Sequence, residues 1–137
     1  MNLDLIASRW QPTALSLFRF VTGLLLFQYG VAKIFKFPVL PYFAKLSPLT
    51  AVAGTIELVL GAMLLLGLFT RPVAFILSGQ MAFAYFIGHM FKTPDAPVWL
   101  PLLNGGTGAI FFCFGCLYLF TAGGGPISLD AALRGKR

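Results

Sequence analysis

The sequence predicts an all-α fold, a four-helix transmembrane bundle threaded up-down-up-down, and three observations support this. The 137 residues are 58% hydrophobic and only 10% charged, whereas soluble domains carry about 25% charged residues. Four apolar runs follow one another along the chain, each close to the roughly 20 residues that cross a bilayer. No hydrophilic stretch is long enough for a second domain. Residues 1–137 are therefore expected to form one integral membrane domain.

Each predicted span is an apolar run with turn-forming or charged residues near its ends. The four spans cover residues 12–32, 49–69, 72–91 and 101–121. The first is expected to begin at Pro12, because proline suits the first turn of a helix. The second and third are joined by little more than Thr70-Arg71, which predicts a tight antiparallel hairpin. The fourth carries no charged side chain and completes the bundle.

The segment between the first two spans, residues 33–48, combines lysines, aromatic residues and three prolines. That composition is unsuited to crossing a bilayer and predicts a short interfacial segment, with Tyr42 and Phe43 at headgroup level. With four spans, both termini lie on one side of the membrane. The basic residues on that side are Arg9, Arg71, Arg134, Lys136 and Arg137, against Lys33, Lys36, Lys45 and Lys92 on the other. The positive-inside rule therefore favours cytoplasmic termini.

Glu57 is the residue that most narrows the possible functions. It is the only charged side chain in residues 49–69, and a charged group at the centre of a span costs roughly 2.5–3.5 kcal/mol. Gly54, Glu57 and Gly61 are spaced three and four apart, so they share one stripe of the helix. Small residues mark close helix contacts in membranes. Glu57 is therefore expected to face the other helices.

Antiparallel threading brings polar groups from all four spans to the membrane face nearest Glu57. The predicted ligand or proton pocket at that face consists of Glu57, Lys33, His89, Asn104 and Tyr85. Its carboxylate, imidazole and ammonium groups could hold a polar headgroup or relay a proton. In the alternative interpretation, Glu57 pairs with Lys33 or His89, Asn104 adds interhelical hydrogen bonds, and the cluster only fixes helix register.

A second set of residues is assigned to helix contacts. In span one, a single stripe carries a basic residue at each end and two glycines between them. The residues assigned to structural contacts are Arg19, Gly23, Gly30, Gly54, Gly61 and Arg71. In span four, the 3.6-residue period predicts one shared face for Asn104, Gly108, Phe111 and Gly115.

Cys113-Phe-Gly-Cys116 is a C-x-x-C motif, which in other contexts indicates thiol redox chemistry. Here it lies mid-span and about half a turn out of phase with Asn104. Buried thiols in apolar surroundings are poor nucleophiles. Our interpretation is that the two cysteines are small packing residues, with a redox role as the alternative.

Metal and nucleic-acid binding are not expected. The chain has one histidine and no set of three or four residues spaced as metal ligands. The net charge of +6 comes from basic residues that flank apolar segments. That arrangement suits an anionic lipid surface rather than a nucleic acid.

Five short motifs run in order along nearly the whole chain. They are Arg19-x3-Gly23-x6-Gly30-x2-Lys33, Glu57-x3-Gly61, LLLGLFTR at residues 64–71, Asn104-Gly105-Gly106 and Ser128-Leu129-Asp130. Together they resemble the DoxX family of small four-helix bacterial membrane proteins. The chain departs from the family pattern at Thr107, where an acidic residue is frequent. It also departs at residues 123–127, where Gly-Pro-Gly before a basic and an aromatic residue is usual.

The resemblance implies a multi-pass protein of the bacterial inner membrane. Some DoxX members look like subunits of thiosulfate:quinone oxidoreductases, and others are associated with membrane oxidoreductase complexes that handle thiols and oxidative stress. A quinone would suit the predicted pocket, because its carbonyls need hydrogen bonds and its reduction needs protons. The sequence shows no flavin, haem or iron–sulfur site and no covalent cofactor. Redox chemistry would therefore require a bound quinone or an electron-carrying partner.

Three functional hypotheses remain open from the sequence. The first is an accessory, quinone-interacting subunit of a membrane oxidoreductase system. The second is a non-catalytic lipid- or small-solute-binding or transport protein, and the third is a structural scaffold. Transport would be favoured by an inverted repeat, but span three does not repeat the arginine-to-lysine stripe of span one. The sequence leaves open whether the protein is an enzyme and whether it forms a homo-oligomer.

Overall fold

The structure is a computed structural model that describes residues 1–92, 95 and 97–136. Within those residues all regular structure is helical, which confirms the predicted all-α class. The helices are α1 (Leu3–Phe35), α2 (Pro48–Leu66), α3 (Thr70–Phe83), α4 (Pro101–Asn104), α5 (Thr107–Ala122) and α6 (Leu129–Arg134). A short 3₁₀ helix, Pro41–Phe43, follows α1, and a π-helix, Ala84–His89, continues α3.

Helix α1 begins nine residues earlier than predicted, at Leu3, so Pro12 lies inside the helix and not in its first turn. The reason is a side-chain cap at Asn2, whose Oδ1 accepts hydrogen bonds from the backbone N–H groups of Asp4 (3.1 Å) and Leu5 (3.4 Å). Such a cap satisfies N–H groups that lack a partner in the first turn. The prediction took the apolar boundary as the helix boundary, and a capped polar turn extends the helix beyond it.

The fourth predicted span is not one helix, because Gly105 adopts a left-handed conformation, with φ of 73°, and ends α4. The Asn104 side chain stabilises this break by accepting the Gly106 N–H at 2.8 Å, and glycine is the usual residue for a left-handed helix end. Helical phase therefore does not carry from Asn104 into α5, and the shared face predicted for Asn104, Gly108, Phe111 and Gly115 is wrong. Phe111 is 69% exposed, whereas Cys116 and Leu119 face the core.

The predicted tight connection between the second and third spans is present, since only residues 67–69 separate α2 from α3. Gly67, with φ of 71°, ends α2 and donates its N–H to the Leu64 carbonyl at 3.0 Å. α1 packs most extensively along α2, and α3 along α5, whereas contacts between these two pairs are sparser. The core at their centre is formed by Leu26, Leu64, Leu77, Cys116 and Leu119, all fully buried.

Glycines set the distance between α1 and α2. A Cβ on Gly30 would collide with the backbone nitrogen of Leu58, and one on Gly23 with that of Leu65. From the other side, a Cβ on Gly61 would lie 2.7 Å from the Phe27 nitrogen. The backbones therefore approach so closely that only glycine fits, as small residues permit at helix crossings.

Arg19 anchors the end of the molecule opposite Lys33. Its side chain is buried, and the residue is 3% exposed. The guanidinium donates to the carbonyls of Leu64 (2.8 Å) and Leu65 at the end of α2, and to those of Gly124 (3.0 Å) and Ile127 (2.6 Å). These carbonyls include helix-end acceptors that lack intrahelical donors. Arg19 thus joins α1, α2 and the glycine-rich segment that follows α5.

Arg71 and Asp130 make similar contacts at that end. Arg71 donates to the carbonyls of Phe120 (3.0 Å) and Thr121 (2.5 Å), where α5 ends. The Asp130 carboxylate accepts the N–H groups of Phe69 and Thr70, each at 2.8 Å, where α3 begins. Arg71 therefore joins α3 to the end of α5, and Asp130 docks the C-terminal segment against the start of α3.

Gly30→Ala is expected to destabilise the fold, because the new methyl group would overlap the α2 backbone. Overpacking of this kind typically costs about 1–3 kcal/mol. The matched control is Gly79→Ala in α3, where an added Cβ meets no atom within 4 Å and helix propensity improves by about 1 kcal/mol. Thermal unfolding in detergent, followed by circular dichroism, should show a lower Tm for Gly30→Ala alone. Equal Tm values for the two variants would contradict the close approach.

The stability of the docked C-terminal segment is expected to depend on pH through Asp130. Burial raises the pKa of this carboxyl, but hydrogen bonds from Thr70 and Phe69 and the charge of Arg134 outweigh it and hold the pKa below the ordinary value of 3.8. The unfolded chain then takes up the proton first as the pH falls, so the stabilisation is complete above about pH 5 and is lost below about pH 4. Asp130→Asn should lower Tm at neutral pH and show a smaller further loss on acidification. A wild-type acid response in Asp130→Asn would rule out this assignment.

Candidate functional site

Lys33 and Glu57 form a buried ion pair between α1 and α2. Lys33 Nζ donates to both carboxylate oxygens, at 2.8 Å to Oε1 and 2.7 Å to Oε2. The two side chains are 14% and 3% exposed, respectively. The glycine-lined crossing makes this reach possible, because a Cβ on Gly54 would lie only 2.8 Å from the Lys33 Cβ. Glu57 therefore faces the neighbouring helices with its charge compensated by a direct partner.

Gln80 of α3 is a third member of this cluster, and the sequence reasoning missed it. Its Nε2 donates to Glu57 Oε1 at 3.0 Å and to the Ala53 carbonyl at 3.2 Å. Two acceptors on one side fix the orientation of the amide, since the reverse orientation would place oxygen against oxygen. Gln80 Oε1 is consequently a buried acceptor with no donor among the residues that the structure describes. The available signal was an amide within the apolar residues 72–91, because a polar side chain there needs hydrogen-bond partners on neighbouring helices.

Two aromatic rings flank the Lys33 ammonium group. Nζ lies 5.9 Å from the ring centroid of Tyr29 and 5.4 Å from that of Phe43. Both distances are within the roughly 6 Å range of cation–π attraction. Phe43 belongs to the 3₁₀ helix between α1 and α2, so the segment predicted to be interfacial also contributes a wall of the site.

A second hydrogen-bonded group links the π-helix to the turn before α5. Tyr85 donates its hydroxyl proton to the Val98 carbonyl at 2.5 Å, and Asn104 Nδ2 donates to the Tyr85 hydroxyl oxygen at 3.3 Å. His89 Nδ1 lies 3.2 Å from the Asn104 carbonyl oxygen, which can only accept, so Nδ1 carries the proton. In the neutral ring Nε2 is then an acceptor. The group positions His89 through the backbone of Asn104.

Two cavities flank the Lys33–Glu57 pair. The α1–α5 cavity has a volume of about 460 Å³ and is lined in part by Tyr29, Lys92, Gly108 and Phe112. The α2–α3 cavity, of about 540 Å³, is lined in part by Ile56, Ile76, Gly79, Gln80 and Phe83. Both volumes lie within the roughly 300–1,000 Å³ typical of ligand sites. The wall common to the two cavities consists of Lys33, Phe43, Glu57, Ala84 and His89.

The five residues of the predicted pocket therefore occupy two adjoining groups. Lys33, Glu57 and His89 lie on the wall shared by the two cavities. Asn104 and Tyr85 are buried beside them and support His89, and they are outside the linings of these two cavities. The shared wall presents an ammonium donor, a carboxylate acceptor and an imidazole, which together can bind a small polar group that both donates and accepts hydrogen bonds.

The two cysteines lie away from this wall. Both are free thiols. Cys116 is fully buried in the core, and the Cys113 carbonyl accepts the Ser78 hydroxyl proton at 2.8 Å. These contacts are those of packing residues between α3 and α5.

The sequence model of the DoxX family matches residues 14–90. The chain belongs to the DoxX family. A protein of Haemophilus influenzae described as uncharacterized is 37% identical over 125 residues, which covers 89% of this DoxX chain and 92% of that protein. No solved structure matches. Among the residues that the structure describes, two helices, Leu3–Phe35 and Pro48–Leu66, are long and apolar enough to cross a membrane, and with the family membership they indicate a membrane protein.

Removing one member of the ion pair is expected to be more harmful than removing both. Lys33→Met leaves Glu57 buried without its cation, which typically costs about 3–5 kcal/mol, whereas replacing both partners by apolar residues of similar size is often close to neutral. The double variant Lys33→Met/Glu57→Leu should therefore regain most of the Tm lost in Lys33→Met. Lys45→Met, at an exposed position, serves as the control for loss of a lysine. If the Tm loss of the double variant equals the sum of the losses in Lys33→Met and Glu57→Leu, the two side chains are not coupled.

Proposed function

We propose that this DoxX protein is an accessory, quinone-interacting subunit of an oxidoreductase system in the bacterial inner membrane. In this proposal α1, α2, α3 with its π-helix, and α5 cross the membrane up and down, with both termini in the cytoplasm. The 19 residues of α2 span about 28 Å at 1.5 Å per residue, close to the hydrocarbon thickness of about 30 Å. Large apolar side chains exposed on the outer helix faces support the same arrangement; examples are Leu17, Phe20, Val59, Phe75 and Phe114.

The observation that carries the proposal is the buried Lys33–Glu57 pair on a wall shared by two cavities and by His89. An ionisable group within a membrane span is by default a functional position. A quinone carbonyl accepts hydrogen bonds, which the Lys33 ammonium can donate. A quinol hydroxyl donates, and the Glu57 carboxylate and His89 Nε2 can accept.

Unused acceptors favour a ligand that also donates. Lys33 already donates two hydrogen bonds to Glu57, so a bound carbonyl would accept a hydrogen bond from the third N–H of the ammonium group. Gln80 Oε1 is buried without a donor among the described residues, and an unpaired buried acceptor costs about 1–3 kcal/mol. Because this oxygen is shielded from solvent, a hydroxyl of the reduced headgroup would reach it only after rotation of the Gln80 side chain toward the α2–α3 cavity, which Gln80 lines. Electrons would come from a partner oxidoreductase subunit, and this chain would supply the headgroup site and its protons.

The proposal is tested by purifying the protein in mild detergent and identifying bound small molecules by mass spectrometry. We expect wild type to retain quinone or quinol, and Glu57→Gln to retain less by about tenfold, the effect of losing one charge-assisted contact of about 1.4 kcal/mol. Asp4→Asn removes an exposed acid from the first turn of α1 and should behave as wild type. Unfolding curves for the same preparations separate loss of ligand from loss of fold.

Other outcomes would favour the two alternative functions. A phospholipid or small solute retained in place of quinone, and lost in Glu57→Gln, would support a non-catalytic binding or transport protein. A preparation with no bound small molecule or protein partner, in which Glu57→Gln changes heat stability alone, would support a structural scaffold. Either result would refute the quinone-linked role.

A further inference from the structure

The geometry points to the α2–α3 cavity as the binding groove for the apolar tail of the ligand, with the headgroup on the shared wall of Lys33, Glu57 and His89. This inference rests on the proposed quinone site and deepens it, since it predicts that the site selects quinones that carry a chain. It also assigns a specificity-determining position, Gly79, which contacts neither member of the ion pair.

The lining of the α2–α3 cavity is divided by polarity. Its charged and polar groups are Lys33, Glu57, Gln80 and His89, together with Thr50. The remaining large side chains are aliphatic or aromatic, and include Val52, Ile56, Ile76, Phe83 and Ile87. A polar cluster continuous with an apolar groove complements an amphiphile with a small hydrogen-bonding head and one hydrocarbon chain.

Two glycines, Gly79 and Gly88, lie in the wall of the groove and leave space there because they have no side chain. A Cβ placed on Gly79 or on Gly88 would meet no atom within 4 Å, although both glycines line the cavity. Glycine lowers helix stability by about 1 kcal/mol relative to alanine, and neither glycine is required there by a close helix contact. α2 and α3 also share far fewer contacts than α1 and α2. The cavity of about 540 Å³ between α2 and α3 therefore leaves room for a hydrocarbon chain.

The α1–α5 cavity is a poorer place for a hydrocarbon chain. Its lining includes the exposed Lys92 as well as Tyr29, Tyr42 and Lys33. A chain in this cavity would lie against charged and hydroxyl groups, and burying those groups without partners is unfavourable. The α2–α3 cavity also contains Lys33, but a chain lying against Ile56, Ile76 and Phe83 would contact apolar side chains, which lowers this cost.

The test fills each cavity in turn at a matched glycine. Gly79→Leu places a side chain in the α2–α3 groove, and Gly108→Leu does the same in the α1–α5 cavity, where an added Cβ also meets no atom within 4 Å. Two probes are titrated into nanodiscs holding each protein: a dimethoxy-methyl-benzoquinone, and the same ring bearing a decyl chain. Binding is measured by quenching of intrinsic fluorescence, with empty nanodiscs correcting for partition of each probe into lipid.

We expect Gly79→Leu to weaken binding of the decyl quinone by about tenfold or more, because several methylene groups lose their buried position. Binding of the chainless ring should change less than about twofold on the same scale, which also shows that the variant folds. Gly108→Leu should leave the ratio of the two dissociation constants as in wild type.

Three results from the two-probe titrations would overturn the tail assignment while leaving the quinone site intact. They are equal wild-type affinities for the two probes, a selective loss of the decyl probe in Gly108→Leu, and parallel loss of both probes in Gly79→Leu. Displacement of a copurified phospholipid by Gly79→Leu, with the decyl affinity unchanged, would assign the groove to a lipid chain and also refute the tail assignment. Failure of wild type to bind either probe would instead refute the quinone site itself.

Discussion

The close approach of α1 and α2 is the constraint on which the rest of the structure depends. Gly23 and Gly30 of α1 and Gly61 of α2 leave no room for a Cβ at the crossing. At that separation Lys33 donates hydrogen bonds to both oxygens of Glu57. The Glu57 carboxylate, which is the most costly group in the apolar run, therefore has a cation in direct contact. A wider crossing would leave the carboxylate buried and unpaired, which is the strongly destabilising case. Backbone packing therefore makes the charge tolerable.

Arg19 and Glu57, the two most deeply buried charged residues of this helix pair, are compensated in different ways. Arg19 is surrounded by carbonyl oxygens at the end of α2 and in the glycine-rich segment, and its guanidinium donates hydrogen bonds to four of them. Glu57 is compensated by Lys33 and Gln80 and lies beside cavities on both sides. At its end of the molecule, the Arg19 guanidinium is thus bound by carbonyl oxygens of the chain itself. The Glu57 end retains cavity space and acceptors at Gln80 and His89, and these support the proposed binding site.

Much of this arrangement could be predicted from the sequence, because a charge in an apolar run restricts where its helix can face. The stripes Arg19-Gly23-Gly30-Lys33 and Gly54-Glu57-Gly61 have the spacing of one helix face, and the structure places them at the α1–α2 crossing. Asn104 could not be placed in this way, since the helix breaks at Gly105 and phase is lost across the break. Gln80 was not predicted, although a neutral amide within an apolar span needs hydrogen-bond partners for the same reason as a carboxylate. The docking of the C-terminal segment on Arg19 depends on contacts between residues more than a hundred positions apart, for which local pattern carries no signal.

Glycine has two opposite uses in this chain, and sequence alone does not separate them. At Gly30 and Gly61 the space of the missing side chain is filled by the backbone of the partner helix. At Gly79 and Gly108 that space stays open and becomes part of a cavity wall. The first use brings α1 and α2 together, and the second keeps α3 and α5 from closing against them. Since α1–α2 and α3–α5 are the two tightly packed pairs, both cavities fall in the gaps between the pairs, where their linings meet at Lys33 and Glu57. A ligand entering either gap would reach the ion pair without separating a packed interface, so binding there need not compete with the packing that stabilises the fold.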